Sequence, residues 1–342
     1  MYFLFVVMNV SVKLFVIYLT GGRALSLLFR VSMEDVQGLI EKQTINDTVN
    51  PRRSSSYYEN YHSMKEIYHW MEEVVKVHSD LLQKIYIGSS YEKRPLYVLK
   101  LSKSQKKPKS AIWIDCGIHA REWISPAFCL WFIAKQKILM SFTFSHFDFY
   151  VMPVINVDGY EYTWSHPSVR RKLRSKTVHF FITGEGASPY ECQETYCGPY
   201  PESEPEVKAV ARFVRDHKDI IKAYITMHSY SQLVLFPYSY TMDRSKDHDE
   251  LVSESLAKKA AKAIKRTTKK TYRLGAGAQT IYLAPGGSDD WAYDLGIKYS
   301  FTIELRDTGT YGFLLPPQEI KPTCLEALSA VKEISQHVLQ NL

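Results

Sequence analysis

The segment Ala111-Ile112-Trp113-Ile114-Asp115-Cys116-Gly117-Ile118-His119-Ala120-Arg121-Glu122-Trp123-Ile124 decides how the rest of the chain is read. Its opening is an almost continuous apolar run, the pattern of a sheet strand buried on both faces. The run passes into a loop that presents His119 and Glu122. An imidazole nitrogen and a carboxylate three residues apart, just after a strand, can converge on one metal ion. Taken alone, His-x-x-Glu is also common in surface loops.

Working outward, strand-like and helix-like runs alternate. Strands are predicted over Leu96 to Leu101, Ala111 to Cys116, Phe147 to Val154, Ala223 to Met227 and Tyr299 to Glu304. Helices are predicted over Ser63 to His78, Ser125 to Met140, Ser203 to His217, Glu250 to Thr268 and Thr323 to Leu339. The pattern implies an α/β fold: a single domain with a central mixed, mostly buried β-sheet flanked by helices.

Two further strand ends carry chemistry. Met227-His228-Ser229-Tyr230 follows an apolar strand and supplies a third candidate ligand. His119, Glu122 and His228 together would leave a fourth position for water, the arrangement of a catalytic Zn2+, one per chain. Such a metal acidifies a water and polarises a carbonyl. The run Phe301-Thr302-Ile303-Glu304-Leu305-Arg306-Asp307 sets Glu304 at the end of a buried strand, where a carboxylate makes a good general base. The plainer role for Glu304 is an ion-pair partner of Arg306.

Composition narrows the class. With 45% hydrophobic residues the chain can bury a sizeable core, which excludes disorder as its overall state. The formal charge of +7 is modest, and much of it lies at Lys258, Lys259, Lys262, Lys265, Arg266, Lys269, Lys270 and Arg273. That helical spacing reads as a solvated helix face or as a patch for a polyanion such as heparin. Nothing else suggests nucleic acid. None of the five cysteines forms a CxxC pair, so a zinc finger is excluded. Cys116 and Cys129 flank one strand-to-helix connection and are candidates for a disulfide, which points to a secreted, extracellular protein.

Residues 1–32 are strongly apolar, with Lys13 interrupting and Gly21, Gly22 and Ala24 near the end of the run. They read as a signal-like segment, with a signal anchor or translated non-native sequence as the competing readings. Asn46-Asp47-Thr48 is a glycosylation sequon at Asn46. Residues 33–53 combine a short helix-like piece with a polar linker, where Arg52 and Arg53 invite a trypsin-like activating protease. An ordinary, uncut linker is the alternative.

His119-Ala120-Arg121-Glu122-Trp123-Ile124, Met227-His228-Ser229-Tyr230-Ser231-Gln232 and Ile303-Glu304-Leu305-Arg306-Asp307-Thr308-Gly309, in this order and at these separations, resemble the metallocarboxypeptidases of the carboxypeptidase A and B family. The resemblance runs from about Tyr57 to the C-terminus. It implies that His119, Glu122 and His228 hold zinc. Glu304 would activate the water and then protonate the leaving amine. Arg171 would stabilise the oxyanion. Tyr282 matches a mobile tyrosine that folds over substrate, and Arg121 and Tyr230 match residues lining the subsites beside the scissile bond. In Gly286-Gly287-Ser288-Asp289-Asp290-Trp291, Asp289 takes the position at the floor of the pocket for the substrate's last side chain. An aspartate there resembles the B-type enzymes, whose substrates are peptides and proteins with C-terminal Lys or Arg.

The chain also departs from the family pattern. Residues 54–342 would be the catalytic domain, but near 175–186 an internal deletion is implied. The Asn-Arg-Asn run that grips the substrate's terminal carboxylate is missing between Arg174 and Gly186. Cys192 and Cys197 match family cysteines whose usual partners would lie in that absent stretch, leaving them to pair with each other or stay free. The segment from Lys135 to Phe147 is shorter than its family equivalent. Of the family's inhibitory prodomain, only a remnant of the last connecting helix, from about Met33, is recognisable.

Overall fold

The computed structural model describes residues 2–7, 10–16, 27–33, 43, 57–103, 109–135, 146–166, 186–190, 196–252 and 256–342. In chain order the strands are β1 (Tyr2–Val7), β2 (Val10–Val16), β3 (Leu27–Met33), β4 (Leu82–Ser89), β5 (Pro95–Leu101), β6 (Ser110–Cys116), β7 (Phe147–Met152), β8 (Ile221–Ser229), β9 (Leu233–Phe236), β10 (Arg273–Ala276) and β11 (Tyr299–Leu305). The helices are α1 (Met64–Val77), α2 (Ile124–Ala134), α3 (Val157–Ser165), α4 (Pro205–Asp216), α5 (His248–Val252), α6 (Leu256–Thr268), α7 (Gly277–Thr280), α8 (Ser288–Asp294) and α9 (Ile320–Gln340).

Strands β4 to β11 form one eight-stranded mixed sheet in the order β10-β9-β11-β8-β6-β7-β5-β4. Its centre, β11, β8, β6 and β7, is parallel throughout, whereas β4 and β5 close one side as antiparallel strands. Parallel neighbours need long crossovers, and the helices that make them cover the sheet. Side-chain alternation shows that both faces are covered. Trp113 of β6 packs on Phe213 of α4 with ring centroids 5.6 Å apart, while Cys116, three residues on and therefore on the opposite face, is bonded to Cys129 of α2. That double coverage is why the central strands read as continuous apolar runs.

The expected single domain with a mixed sheet flanked by helices is the observed architecture. All five predicted strands and all five predicted helices correspond to elements of the structure, with shifted ends. β7 stops at Met152, because the following Pro153 cannot donate to a ladder. The basic helix is described as α5 and α6, flanking residues 253–255, and starts two residues before Glu250. The sequence reading missed β4, β9, β10, α3, α7 and α8; of these β9, β10 and α7 are only four residues long, too short to show a period.

Within residues 2–33 the backbone forms a separate antiparallel sheet, β1-β2-β3. Among the described residues no helix is long and apolar enough to cross a membrane. Asn46, Arg52, Arg53, Arg171, Cys192 and residues 175–185 lie outside the described set.

Local chemistry fixes the elements that carry the site. Ser63 caps α1 in a capping box: its hydroxyl accepts from the Glu66 N–H and the Glu66 carboxylate accepts from the Ser63 N–H at 2.8 Å. After β6 the chain turns at Gly117 with φ +63°, where a Cβ would lie 3.0 Å from Pro126 Cγ and 3.2 Å from Val154 Cγ1. Only glycine fits that turn. The Gly117 N–H donates to Ser125 Oγ at 3.0 Å, and the Ser125 hydroxyl donates to the Met227 carbonyl at 2.6 Å. One buried serine thus ties the ends of β6 and β8 together. Phe301, fully buried on β11, packs in the same core, and Phe301→Ala is expected to cost about 3–5 kcal/mol in chemical denaturation. A loss below about 1 kcal/mol would show that β11 is not held by core packing.

Candidate metal and catalytic centre

The C-terminal ends of the parallel strands gather the predicted residues, as expected of ligand sites in α/β sheets. His119 and Glu122 follow β6; His228 is the last but one residue of β8; Glu304 is the last but one of β11. The parallel register sets Glu304 directly beside His228. Because alternation puts Tyr224, Thr226 and His228 on one face of β8, their partners Ser300, Thr302 and Glu304 share it.

His119 Nδ1 lies 2.8 Å from Glu122 Oε1 and 3.1 Å from His228 Nδ1, which is itself 3.2 Å from Glu122 Oε2. Candidate ligand atoms of the three residues lie within 4.8 Å of one another, and among the described residues no other cluster is so arranged. Two imidazole nitrogens and a carboxylate match the donor set of a catalytic zinc, with His119 the more open side, 30% exposed, against 6% for Glu122. The residues present therefore fit the metal.

Electrostatics at the cluster follow from burial and neighbours. Burial alone would raise the Glu122 carboxyl, but the His119 and His228 imidazoles reverse this and hold it at about 2. Burial works against a charged His228, yet Glu122, Glu304 and Asp115 carry it up to about 9. Glu304 is pushed up to about 8 by burial, with the charges of Glu122 and Asp289 adding and His228 opposing. Arg306 is not its partner: that guanidinium bonds Glu326, at 2.9 and 3.1 Å from Nε, and also Glu319. The plainer role for Glu304 is therefore not realised.

Asp289, on α8, is 2% exposed, and its Oδ2 has no hydrogen-bond partner among the described residues. Burial raises its carboxyl; Thr302 and the nearby His228 lower it. Its neighbour Asp290 is also buried, with Oδ2 accepting the N–H groups of Ser239 and Tyr240 at 2.8 and 3.0 Å. Asp290 is pushed up to about 8 by burial and by Asp289. Two adjacent buried carboxylates of this kind cannot both hold a charge cheaply, and each keeps one oxygen, Asp289 Oδ2 and Asp290 Oδ1, without a hydrogen-bond partner among the described residues.

Arg121 lies over the Phe313 ring at 4.1 Å from the ring centre, and Phe313 meets Tyr230 edge to face at 4.9 Å. Sequence reasoning missed Phe313, since an aromatic in a single 3-10 turn, Gly312–Leu314, carries no period. Tyr230 is further set by Gly312, where a Cβ would come within 3.0 Å of its ring, and by Asp307, whose carboxylate accepts from the N–H groups of Gly309, Tyr311 and Gly312. Tyr282 sits between α7 and α8 and is 67% exposed. Cys116 and Cys129 form a disulfide; Cys197 and Cys324 are buried free thiols.

Because the metal-free protein carries a proton on His228 up to about pH 9, a cation must displace it. Glu122, ionised throughout, adds no slope. Zinc affinity is therefore expected to rise about tenfold per pH unit between about pH 7 and 9, then level off, as read by chelator competition. A flat profile would contradict this proton linkage.

Comparison with known proteins agrees with this geometry. The family model described as zinc carboxypeptidase, Peptidase_M14, matches residues 67–330. Carboxypeptidase B2 of Rattus norvegicus is 57% identical over 345 residues, covering 95% of this chain and 81% of the relative. Carboxypeptidase B2 of Homo sapiens is 57% identical over 333 residues, covering 91% and 78%. A crystal structure of thrombin activatable fibrinolysis inhibitor superposes with a TM-score of 0.87 at 55% identity, covering 92% of this chain and 84% of that one. Three motifs, one sheet and one metal-ligand cluster thus converge with a match over most of the chain: this protein belongs to the zinc carboxypeptidase family.

Proposed function

We propose that the chain is a B-type metallocarboxypeptidase that releases C-terminal lysine or arginine from peptides and proteins. The observation that carries this specificity is Asp289, buried with a carboxylate oxygen that no described residue satisfies. An unpaired buried carboxylate is costly, and a substrate ammonium or guanidinium offsets that cost by pairing with it. The names of the most similar relatives, carboxypeptidases B2, support the same reading.

His119, Glu122 and His228 would hold one zinc. Bound there, zinc supplies Lewis-acid chemistry, acidifying a water and polarising the scissile carbonyl. Glu304, beside His228, takes the proton of the attacking water and returns it to the leaving amine. Arg121 and Tyr230, both packed on Phe313, line the neighbouring subsites. Tyr282, exposed on its loop, folds over the bound substrate. Arg171 stabilises the oxyanion in this reading.

The proposal extends to processing and setting. Residues 1–32 direct secretion, Asn46 carries a glycan, and a trypsin-like protease cuts after Arg52 or Arg53 to free residues 54–342. A bovine thrombin-activatable fibrinolysis inhibitor in complex with tick carboxypeptidase inhibitor aligns along its whole length with 84% of this chain, which supports a catalytic unit shorter than the full sequence. That relative's name suggests down-regulation of fibrinolysis as the physiological role. Lys258, Lys259, Lys262, Lys265, Arg266, Lys269, Lys270 and Arg273 are all exposed on or just after α6, which favours a polyanion such as heparin as a further partner. The second reading, a zinc-binding homologue without turnover, rests on the missing Asn-Arg-Asn run.

Hydrolysis of blocked dipeptides by the zinc-loaded chain, with and without trypsin treatment, separates the readings. Turnover of an arginine-ended substrate that Glu304→Gln reduces by about 10²–10⁴-fold supports the enzyme. Zinc binding with no turnover supports the second reading. Asp289→Asn is expected to lower kcat/KM for arginine ends by about 10²–10³-fold and to spare leucine ends. An unchanged preference would remove Asp289 from the pocket.

A further inference from the structure

Asp115 is the one acidic residue in the otherwise apolar strand β6, and it is fully buried. A carboxylate in such a place needs partners that satisfy it. Two side chains on its own side of the sheet donate to it, and the Tyr224 hydroxyl interacts with it as well. Trp113, two residues earlier on the same face, donates its indole Nε1–H to Asp115 Oδ2 at 2.7 Å. Thr226, its register neighbour on β8, donates its hydroxyl to Asp115 Oδ1 at 2.6 Å. Thr226 Oγ1 is in turn 3.1 Å from Nε2 of His228. Thr226 is 1% exposed, so water does not compete for these contacts.

The proton inventory follows from the chemistry of each group. Burial raises the Asp115 carboxyl, while hydrogen bonds from Thr226, Trp113 and Tyr224 and the charge of His228 lower it; in its ionised state it only accepts, so the threonine hydroxyl spends its single proton on Asp115. Its oxygen is then an acceptor for His228, which must present Nε2–H. The other ring nitrogen, Nδ1, is the one that faces His119 and Glu122. From this geometry we infer that Trp113, Asp115 and Thr226 are positioning residues for the metal centre, a hydrogen-bonded chain that fixes the tautomer and ring orientation of His228 so that Nδ1 points its lone pair at the metal position. The chain runs along one face of the sheet, from inside the core to the ligand cluster. A histidine ligand whose second nitrogen is held in this way is a better ligand, and loss of the holding partner typically lowers metal affinity by about 10–100-fold.

This inference rests on the zinc carboxypeptidase reading, and one set of measurements distinguishes the two. The zinc dissociation constant of the full chain is measured by chelator competition for wild type, Thr226→Val, Thr226→Ser and Trp113→Phe, alongside the melting temperature of each with and without zinc. Thr226→Val keeps the shape of the side chain but leaves the Nε2–H without an acceptor. It is expected to weaken zinc binding about 10–100-fold and to shrink the zinc-induced rise in melting temperature. Thr226→Ser restores the hydroxyl and is expected to return to near wild-type affinity. Trp113→Phe, which removes the far donor only, should lose less than Thr226→Val. A merely structural chain would lower the melting temperature of the zinc-free protein and leave the dissociation constant unchanged; that result, in Thr226→Val or, where it does not fold, in Trp113→Phe, overturns the inference. Failure of the wild-type chain to bind zinc overturns the family reading of the site and the inference with it.

Discussion

Glu122 is 5% exposed and still ionised, a state that a lone buried carboxylate does not keep. Its charge survives because two imidazoles and the backbone N–H of Ser229, at 3.2 Å, surround it. His119 and His228 are 109 residues apart in the chain and meet only because β6 and β8 are parallel neighbours, joined end to end through Ser125. The same sheet brings Glu304 beside His228 through the β8–β11 register. Several acidic groups are thereby gathered where water is scarce, and their mutual repulsion is relieved by positive charge at the cluster. The architecture and the affinity for a cation are two expressions of one constraint.

The functional parts are divided among elements of different rigidity. His228 and Glu304 sit at the ends of central, fully paired strands, and His119 and Glu122 in the tight turn that follows β6, where core packing fixes them closely. Asp289 sits on α8, a seven-residue helix that leans on β11. Tyr282 sits on a loop. Precision is greatest where the reacting atoms must be held and least where a substrate must enter and leave, a division that lets specificity change without disturbing the metal centre.

Much of this was legible in the sequence. Continuous apolar runs marked the buried strands, and the motifs just beyond them marked His119, Glu122 and His228, which the fold gathers into one cluster, and Glu304, which it sets beside His228. The segments missed were short or amphipathic in ways that carry no period: β9 and β10 have four residues each, and β4 alternates imperfectly. Phe313 and the Arg306 to Glu326 ion pair were illegible because they join positions whose proximity only the fold creates. Asp115 was a different case. The sequence reading passed over this aspartate inside an apolar strand, because its meaning depends on Thr226, which lies next to it only through the sheet register.

The bond between Cys116 and Cys129 spans a sequence separation of 13, and both His119 and Glu122 lie inside the ring it closes. Two of the three candidate metal ligands therefore belong to a small covalent macrocycle whose conformational freedom is restricted even when the rest of the chain is unfolded. Part of the ordering that a metal centre normally demands has been carried out in advance, by oxidation of two thiols. The cation and the redox state of the surroundings are in this way coupled: an oxidising compartment prepares the loop, and the metal completes it.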